Sequence, residues 1–184
     1  MEENNAGSIL KVVLSGPEST GKTELARELA RAFRTVWVPE YARTYIGSLS
    51  RPYSYRDVEH IAQVQRQEML QKYDGASKVV FFDTDLVITK VWFDVVYHRC
   101  PGWINSFLAH SGVDLYLVCM PDIPWVPDPL RENGGPMREV LLEKYIAEIQ
   151  QAGIPWKPVT GEGPQRLKNA LVALEEVLHL FPPS

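Results

Sequence analysis

The sequence predicts an α/β fold of three layers, in which a central parallel sheet of about five strands lies between two layers of helices. Short β-branched, apolar runs alternate with longer stretches of helical periodicity. A glycine-rich turn separates the first apolar run from the first helical stretch. A chain of 184 residues, 45% hydrophobic and 23% charged, has the size and balance of one globular domain. We therefore expect residues 1–184 to form a single domain.

Five elements are predicted in the first half of the chain. They are strands at residues 9–15, 35–38 and 78–82 and helices at residues 22–33 and 54–72. The strands are short and apolar, as is typical of strands buried on both faces, and the first helix carries apolar residues three and four positions apart. Pro39 ends the second strand. Ser54 can cap the second helix, with Asp57 in its first turn and Gly75 past its end.

The second half continues the alternation. It predicts a helix at 85–97, a shorter helix resuming after residue 102, a strand at 114–120, a helix at 137–151, a weak strand at 155–159 and a helix at 164–180. Pro121 to Gly135 is an irregular segment rich in Pro, Asp and Gly. Because long irregular segments in compact domains are often functional, we expect a lid at about residues 121–138. Strands that alternate with helices predict a parallel sheet covered on both faces.

Composition and charge exclude several classes of partner. The formal net charge is −4, which argues against a basic nucleic-acid surface. No apolar run approaches the roughly 20 residues of a membrane span. Cys100 and Cys119 are too few for a disulfide framework or a zinc site. The segment Met1–Asn5 is acidic and polar, unlike a signal peptide. We therefore expect a cytoplasmic protein without nucleic-acid or membrane partners.

The glycine-rich turn carries the clearest motif. Gly16-Pro17-Glu18-Ser19-Thr20-Gly21-Lys22-Thr23 follows the first strand and opens the first helix, which is the P-loop pattern in its required setting. Gly16 and Gly21 permit backbone conformations that side chains would block, so that successive amides form an anion nest. Lys22 is expected to reach the β- and γ-phosphates, and Thr23 to bind Mg²⁺. All eight residues are thus predicted to bind ATP with Mg²⁺, within a P-loop NTPase fold resembling nucleoside and nucleotide kinases.

Carboxylates follow the two strands that are predicted to flank this loop. Glu40 follows the second strand, and Asp83 and Asp85 follow the third. Ligands of open α/β sheets bind at these carboxyl ends, where an acid can hold Mg²⁺ through water or accept a proton from an attacking hydroxyl. We expect Asp83 to share the metal with Thr23, and either Glu40 or Asp83 to act as the base. Asp85 could instead simply cap the next helix.

The predicted lid carries arginines that suit phosphoryl transfer. A mobile arginine can stabilise the charge that develops on the transferring group when a lid closes. Arg131 and Arg138 are the candidates, and an ordinary surface position is the alternative for each. The chain contains no Asn-Lys-x-Asp or Thr-Lys-x-Asp stretch, which disfavours a guanine-reading GTPase.

Several segments together resemble the ribosylnicotinamide kinase domain of NadR-type proteins, a branch of the P-loop kinases. They are GPESTGKT (16–23), VPEYAR (38–43), FFDTDLVITKVWF (81–93), PDIPWVPDPLR (121–131) and, more weakly, VTGEGPQR (159–166). The resemblance implies an alcohol-accepting phosphotransferase that moves the γ-phosphate of ATP to the ribose 5′-hydroxyl of nicotinamide riboside, giving nicotinamide mononucleotide. Gly161 is expected to border the adenine, by analogy with other small P-loop kinases. Without an H-x-G-H signature, only the kinase activity is expected.

The implied acceptor suggests further site residues. Nicotinamide riboside carries a cationic pyridinium ring, which an aromatic face can stabilise. Trp92 or Tyr41 could supply that face, Gln63 could bind an amide, and Arg43 could orient Glu40 or the acceptor. The candidate acceptor site is therefore Glu40, Tyr41, Arg43, Gln63, Asp85 and Trp92. Core packing is the alternative for the aromatic residues, and a solvated surface for the glutamine.

Two other functions remain open at this point. One is a P-loop kinase for a different nucleoside or coenzyme precursor, since a sequence specifies a pocket poorly. The other is a module that senses ATP without catalysis and passes a conformational change to a partner. Acids at two strand ends and two arginines in the lid favour an enzyme.

Overall fold

The computed structural model describes residues 9–183, so the expectation for Met1–Asn5 concerns residues outside this range. Its centre is a five-stranded sheet in the order β2-β3-β1-β4-β5, with every neighbouring pair parallel. The strands are β1 Leu10–Ser15, β2 Trp37–Val38, β3 Val79–Asp83, β4 Leu115–Cys119 and β5 Trp156–Val159. Val12 of β1 lies opposite Phe81 on one side and Leu115 on the other. The predicted sheet is therefore confirmed, with β1 at its centre.

Helices cover both faces of the sheet. They are α1 Lys22–Phe33, α2 Tyr41–Ser48, α3 Tyr55–Leu70, α4 Leu86–Trp92, α5 Gly102–Leu108, α6 Met137–Gln151 and α7 Pro164–Leu178, and a π-helical turn, Phe93–Tyr97, extends α4. Val12 and Leu14 pack in the core with α1 and α7. Val13 faces the opposite core, formed with α3, α4, α5 and α6. This alternation, with both sets fully buried, is what a three-layer parallel sheet requires.

Most element boundaries match the sequence-based predictions. Helix α3 begins where Ser54 and Asp57 form the capping box, in which each side chain binds the backbone N–H of the other residue. Strand β2 has two residues rather than four and lies at the sheet edge. Helix α2 was not predicted, because it is short and buries only Ala42, so it leaves no apolar period in the sequence. No helix within residues 9–183 is both long and apolar enough to cross a membrane.

Candidate active site

A cleft of about 680 Å³ opens at the carboxyl ends of β1, β2 and β3. The P-loop, residues 16–23, forms its floor on one side. Opposite are Glu40 and Arg43 at the start of α2, and the irregular segment between β4 and α6 contributes Arg131. The strand order therefore brings these three separate parts of the chain to one opening, at the position where open α/β sheets bind ligands.

The P-loop has the backbone geometry expected from its glycines. Gly16 has φ +132°, and a Cβ atom there would lie 2.4 Å from the carbonyl oxygen of Cys119 at the end of β4. Gly21 has φ +76° and precedes the first residue of α1. Inside the loop, the Thr20 hydroxyl donates to the Pro17 carbonyl at 2.9 Å. Only glycine fits at position 16, so the loop can take this shape without strain.

The Lys22 ammonium lies across the loop. Its Nζ donates to the carbonyl oxygens of Gly16 at 2.9 Å and Pro17 at 2.8 Å. Burial raises the pKa values of Glu40 and Asp83, and this is the larger effect. The positive charge of Lys22 lowers both pKa values in part. Lys22 is thus the cation with the largest effect on the pKa values of both carboxylates, and Arg43 acts on both in the same direction.

Thr23 and Asp83 form a pair between α1 and β3. The Thr23 hydroxyl donates to Asp83 Oδ2 at 2.6 Å. Asp83 is 2% exposed, and its other oxygen, Oδ1, has no hydrogen-bond partner among residues 9–183. A hydroxyl beside a carboxylate with a free, buried oxygen is a donor set that suits a hard cation such as Mg²⁺. The residues therefore fit the metal that the P-loop motif implies.

Glu40 is the second carboxylate of the cleft. It is the N-cap residue of α2, two positions after β2 ends, and it is half-buried. Burial raises its pKa, and the negative charge of Asp83 raises it further, while Lys22 and Arg43 lower it. A carboxyl group with a raised pKa on a cleft wall is suited to exchange a proton with a hydroxyl group.

Two P-loop side chains bind the lid. The Glu18 carboxylate accepts hydrogen bonds from the backbone amides of Glu132 at 3.2 Å and Asn133 at 3.0 Å, and from Asn133 Nδ2 at 3.1 Å. The Ser19 hydroxyl accepts from the Val126 amide at 2.9 Å. The side chains of Glu18 and Ser19 therefore connect the P-loop to the lid.

The two lid arginines occupy different environments. Arg131 lines the cleft, and its guanidinium donates to the Val126 carbonyl. Arg138 is 7% exposed and donates to the carbonyl oxygens of Ile123 and Ser19, each at 3.1 Å. The expectation that Arg138 binds the nucleotide is therefore corrected: its guanidinium joins the lid to the P-loop from outside the cleft.

Asp85 also lies outside the cleft. It is 1% exposed, caps α4 by accepting from the Val87 amide at 3.0 Å, and accepts a hydrogen bond from the Tyr116 hydroxyl. Burial raises its pKa to about 6. The alternative interpretation of Asp85, as a helix cap, is the one that the structure supports, and its assignment to the acceptor site is corrected.

Two further acceptor-site candidates lie elsewhere. Tyr41 stacks on Tyr45 with ring centroids 5.8 Å apart, and its hydroxyl is 3.0 Å from His60 Nε2. Gln63 is an exposed residue of α3. Neither lines the cleft, since Tyr41 packs against His60 of α3 and Gln63 is exposed on that helix. These two assignments are corrected.

Trp92 does line the cleft, and it has a partner that the sequence did not reveal. The ring of Tyr53 contacts Trp92 edge-to-face, with centroids 4.9 Å apart and planes at 79°. The Tyr53 hydroxyl donates to Glu132 of the lid at 3.0 Å, and burial raises its pKa to about 12. The same wall contains Ile46, Leu49, Pro52, Ile88, Val95 and Val96. Tyr53 lies in a loop between helices, where no periodicity marks it.

Gly161 lies at the outer end of the P-loop, outside the main cleft. Its amide donates to Asp122 Oδ2 at 2.6 Å, and its carbonyl accepts from Arg166 Nε at 2.7 Å. Arg166 is 4% exposed, and its Cδ lies 3.9 Å from the position that a Cβ of Gly21 would occupy. Asp122 and Arg166, which the sequence did not reveal, therefore hold the Gly161 loop beside the P-loop.

Together, a P-loop after the central strand, a hydroxyl–carboxylate pair, a second acid and an irregular segment that contributes Arg131 define a P-loop fold of the kinase type. A family model described as an AAA domain matches residues 11–166, and the chain belongs to this family.

The chain is also similar to curated relatives. It is 30% identical over 142 residues to the trifunctional NAD biosynthesis/regulator protein NadR of Salmonella typhimurium, and 29% identical to that of Escherichia coli. In each case the match covers 75% of this chain and 35% of the relative, so the chain spans about a third of their length. The resemblance to NadR-type proteins that the motifs predict is confirmed.

Solved structures share the fold. The crystal structure of NadR protein in complex with NR superimposes with a TM-score of 0.80 at 21% identity, covering 96% of this chain and 52% of that one. NadR protein in complex with NAD and AMP-PNP gives 0.73 at 22%, covering 96% and 51%. Thymidylate kinase from Ehrlichia chaffeensis gives 0.64 at 10%, covering 92% and 99%. The predicted P-loop kinase fold is confirmed.

Proposed function

We propose that this chain is an ATP-dependent kinase that phosphorylates the ribose 5′-hydroxyl of nicotinamide riboside to give nicotinamide mononucleotide, in NAD biosynthesis. One observation carries the proposal: the P-loop with its Thr23–Asp83 pair faces Glu40 and an aromatic wall across one cleft. The similarity to NadR proteins, one of them solved in complex with NR, supports this acceptor. Residues 121–138 serve as the lid of the same domain.

The donor half of the site binds the triphosphate of ATP. The backbone amides of residues 16–23 surround the phosphates, and the N-terminus of α1 adds its partial positive charge. Lys22 moves from the Gly16 and Pro17 carbonyls to the phosphate oxygens, which are the stronger partners for an ammonium. The Gly161 loop, held by Asp122 and Arg166, borders the base.

Thr23 and Asp83 would hold Mg²⁺ through the Thr23 hydroxyl and Asp83 Oδ1, which has no hydrogen-bond partner in the described part of the chain. When bound, the metal supplies neutralisation of phosphate charge. Because both oxygens of Asp83 are then engaged, Asp83 is poorly placed to take a proton as well. This division of roles leaves Glu40 as the base.

The acceptor half binds the nucleoside. Glu40 accepts the hydrogen bond of the 5′-hydroxyl and aligns its oxygen for in-line attack. The Trp92 and Tyr53 rings offer faces to the cationic pyridinium. Arg131 stabilises the charge that develops on the transferring phosphoryl group. Most of the rate enhancement comes from positioning and electrostatics, without a covalent intermediate.

The test is an ADP-release assay with a panel of nucleosides that includes nicotinamide riboside, run on the wild-type chain and on Lys22→Ala. The proposal expects release with nicotinamide riboside well above the other nucleosides, and loss of that release in the variant. ADP release with only a different nucleoside would show that the acceptor is that nucleoside, and the kinase assignment would stand. ADP release at a rate that does not depend on any added nucleoside would contradict the assignment of this chain as a nucleoside kinase.

A further inference from the structure

Residues 128–133 of the lid, here called the strap, contact both halves of the cleft. Toward α2, the Asp128 carboxylate forms an ion pair with the Arg43 guanidinium. Toward the P-loop, the Asn133 amide donates to the Glu18 carboxylate at 3.0 Å. Arg131 lies between these two contacts and lines the cleft. The strap therefore spans from the acceptor side to the donor side, with Arg131 near its middle.

Asp128 shapes the part of the strap that carries this arginine. Its Oδ1 accepts from the Leu130 amide at 2.9 Å, and its backbone carbonyl accepts from the Arg131 amide, also at 2.9 Å. These two bonds close a tight turn over residues 128–131. The Leu130 amide and the Arg43 guanidinium hold the pKa of Asp128 below its usual range, so the carboxylate is ionised at neutral pH.

The other oxygen of Asp128, Oδ2, connects this turn to α2 through the ion pair with Arg43. Arg43 lies three residues, slightly less than one helical turn, beyond Glu40, the N-cap residue of α2, and its charge also lowers the Glu40 pKa. The Asp128 side chain is 21% exposed and the Arg43 side chain 45%. A single carboxylate thus contacts the helix that presents Glu40 and the turn that presents Arg131.

We propose that Asp128 is a positioning residue for phosphoryl transfer. It fixes the position of Arg131 in the cleft, and its ion pair with Arg43 couples that position to the position of α2. The inference rests on the proposed kinase function. Because the Glu18–Asn133 contacts do not involve Asp128, loss of its charge leaves the lid joined to the P-loop. ATP binding is then retained while the arginine loses its alignment.

The test compares Asp128→Asn, Arg43→Gln and the double variant, with Glu176→Gln as the matched control. Glu176 forms an exposed ion pair with Lys157 at 2.8 Å, away from the cleft. A misplacement of about 1 Å can cost on the order of 100-fold in rate. We expect Asp128→Asn to lower kcat about 10- to 100-fold with the ATP KM within about 3-fold of wild type. The double variant should be no slower than the slower single variant, and Arg43→Lys should recover most of the loss of Arg43→Gln.

The proposal would be overturned by a near-normal kcat in Asp128→Asn, or by single losses that multiply in the double variant. A loss confined to the ATP KM would also overturn it. The kinetics use whichever acceptor the nucleoside panel identifies, so a wrong acceptor does not affect this conclusion. Hydrogen–deuterium exchange of residues 121–136 with bound AMP-PNP gives a second readout that needs no acceptor. Asp128→Asn should raise that exchange and Glu176→Gln should not; equal exchange in both would contradict the role of Asp128.

Discussion

Thr23 Oγ1 donates a 2.6 Å hydrogen bond to Asp83 Oδ2, joining the first turn of α1 to the last residue of β3. The bond leaves Asp83 Oδ1 buried without a partner among residues 9–183. A buried, unpartnered carboxylate oxygen is costly, because it has lost its hydration and gained nothing in exchange. The cost is removed if the oxygen binds a cation, directly or through water.

Asp83→Asn tests this pair as a metal site. The amide keeps the size and can still accept the Thr23 hydrogen bond, but it removes the negative charge that attracts Mg²⁺. We expect the Mg²⁺ concentration for half-maximal ADP release to rise at least 10-fold, with a lower kcat at saturation. An unchanged Mg²⁺ titration would exclude Asp83 as a ligand.

Lys22→Ala tests the phosphate-binding role of the P-loop. Loss of a preorganised charge contact to the transferring group should lower kcat by about 100-fold or more. Because the Lys22 charge also offsets the buried Glu40 and Asp83 carboxylates, the thermal midpoint of the variant is measured as well, and the loss of kcat should persist at temperatures where the variant is fully folded. Lys168→Ala, at an exposed position of α7, is the matched control. Turnover of Lys22→Ala at the control level would refute the assignment.

Glu40→Gln tests the base through its pH dependence. A base must be ionised to work, and burial raises the Glu40 pKa above 4.5, so activity should fall as the pH drops through that raised pKa. The variant should lose most of kcat and also the part of the acidic limb that Glu40 contributes, with the ATP KM unchanged. A normal rate and an unaltered pH profile would remove Glu40 from the mechanism.

The prediction for Trp92 concerns acceptor binding. Trp92→Leu keeps an apolar side chain but removes the ring that contacts Tyr53. A cation–π contact is worth about 1 to 2 kcal/mol, so the KM for nicotinamide riboside should rise about 5- to 30-fold. The ATP KM should stay the same. Steady-state kinetics in which each substrate is varied in turn gives the two KM values separately. Equal changes in both constants would indicate a loss of structure instead.

Asp85→Asn tests the structural role of the buried cap. The folded pKa of about 6 exceeds the unfolded value of 3.8, so the native state holds its proton more tightly. Stability should therefore fall as the pH rises from about 4 to about 6, by at most about 3 kcal/mol. The variant should lose that part of the pH dependence in urea unfolding, with an unchanged acceptor KM. An increased KM for the acceptor nucleoside would show instead that Asp85 contributes to the acceptor site.

The sequence predicted the parts of the site that are local in the chain. The P-loop is one continuous strand–loop–helix segment, so its motif specifies its geometry, and the irregular segment between β4 and α6 was recognisable from its Pro and Gly residues. The acids after β3 show the limit of this reasoning. Asp83 ends the strand beside the cleft, where it accepts a hydrogen bond from Thr23 of the cleft lining, whereas Asp85, two residues on, turns inward to cap α4 and meet Tyr116. Both follow the same strand, and only the packing of α4 distinguishes them.

The missed and corrected residues depend on contacts between distant segments. Tyr53 faces Trp92 across 39 positions of sequence, and its loop has no apolar period. Arg138 lies at the start of α6, and its burial against Ser19 results from how this part of the chain packs on the P-loop. Asp128 gains its contact with Arg43 in the same way. Such pairings become visible only when the sheet order is known.

Label transfer from [γ-³²P]ATP tests the central claim most directly. The chain is incubated with labelled ATP, Mg²⁺ and nicotinamide riboside, and the products are separated by chromatography. We predict label in nicotinamide mononucleotide, in a 1:1 ratio with ADP formed, and label entering that product about 100-fold more slowly or less with Lys22→Ala. Label found only as free phosphate, at a rate independent of nicotinamide riboside, would contradict the assignment of this cleft to phosphorylation of that nucleoside.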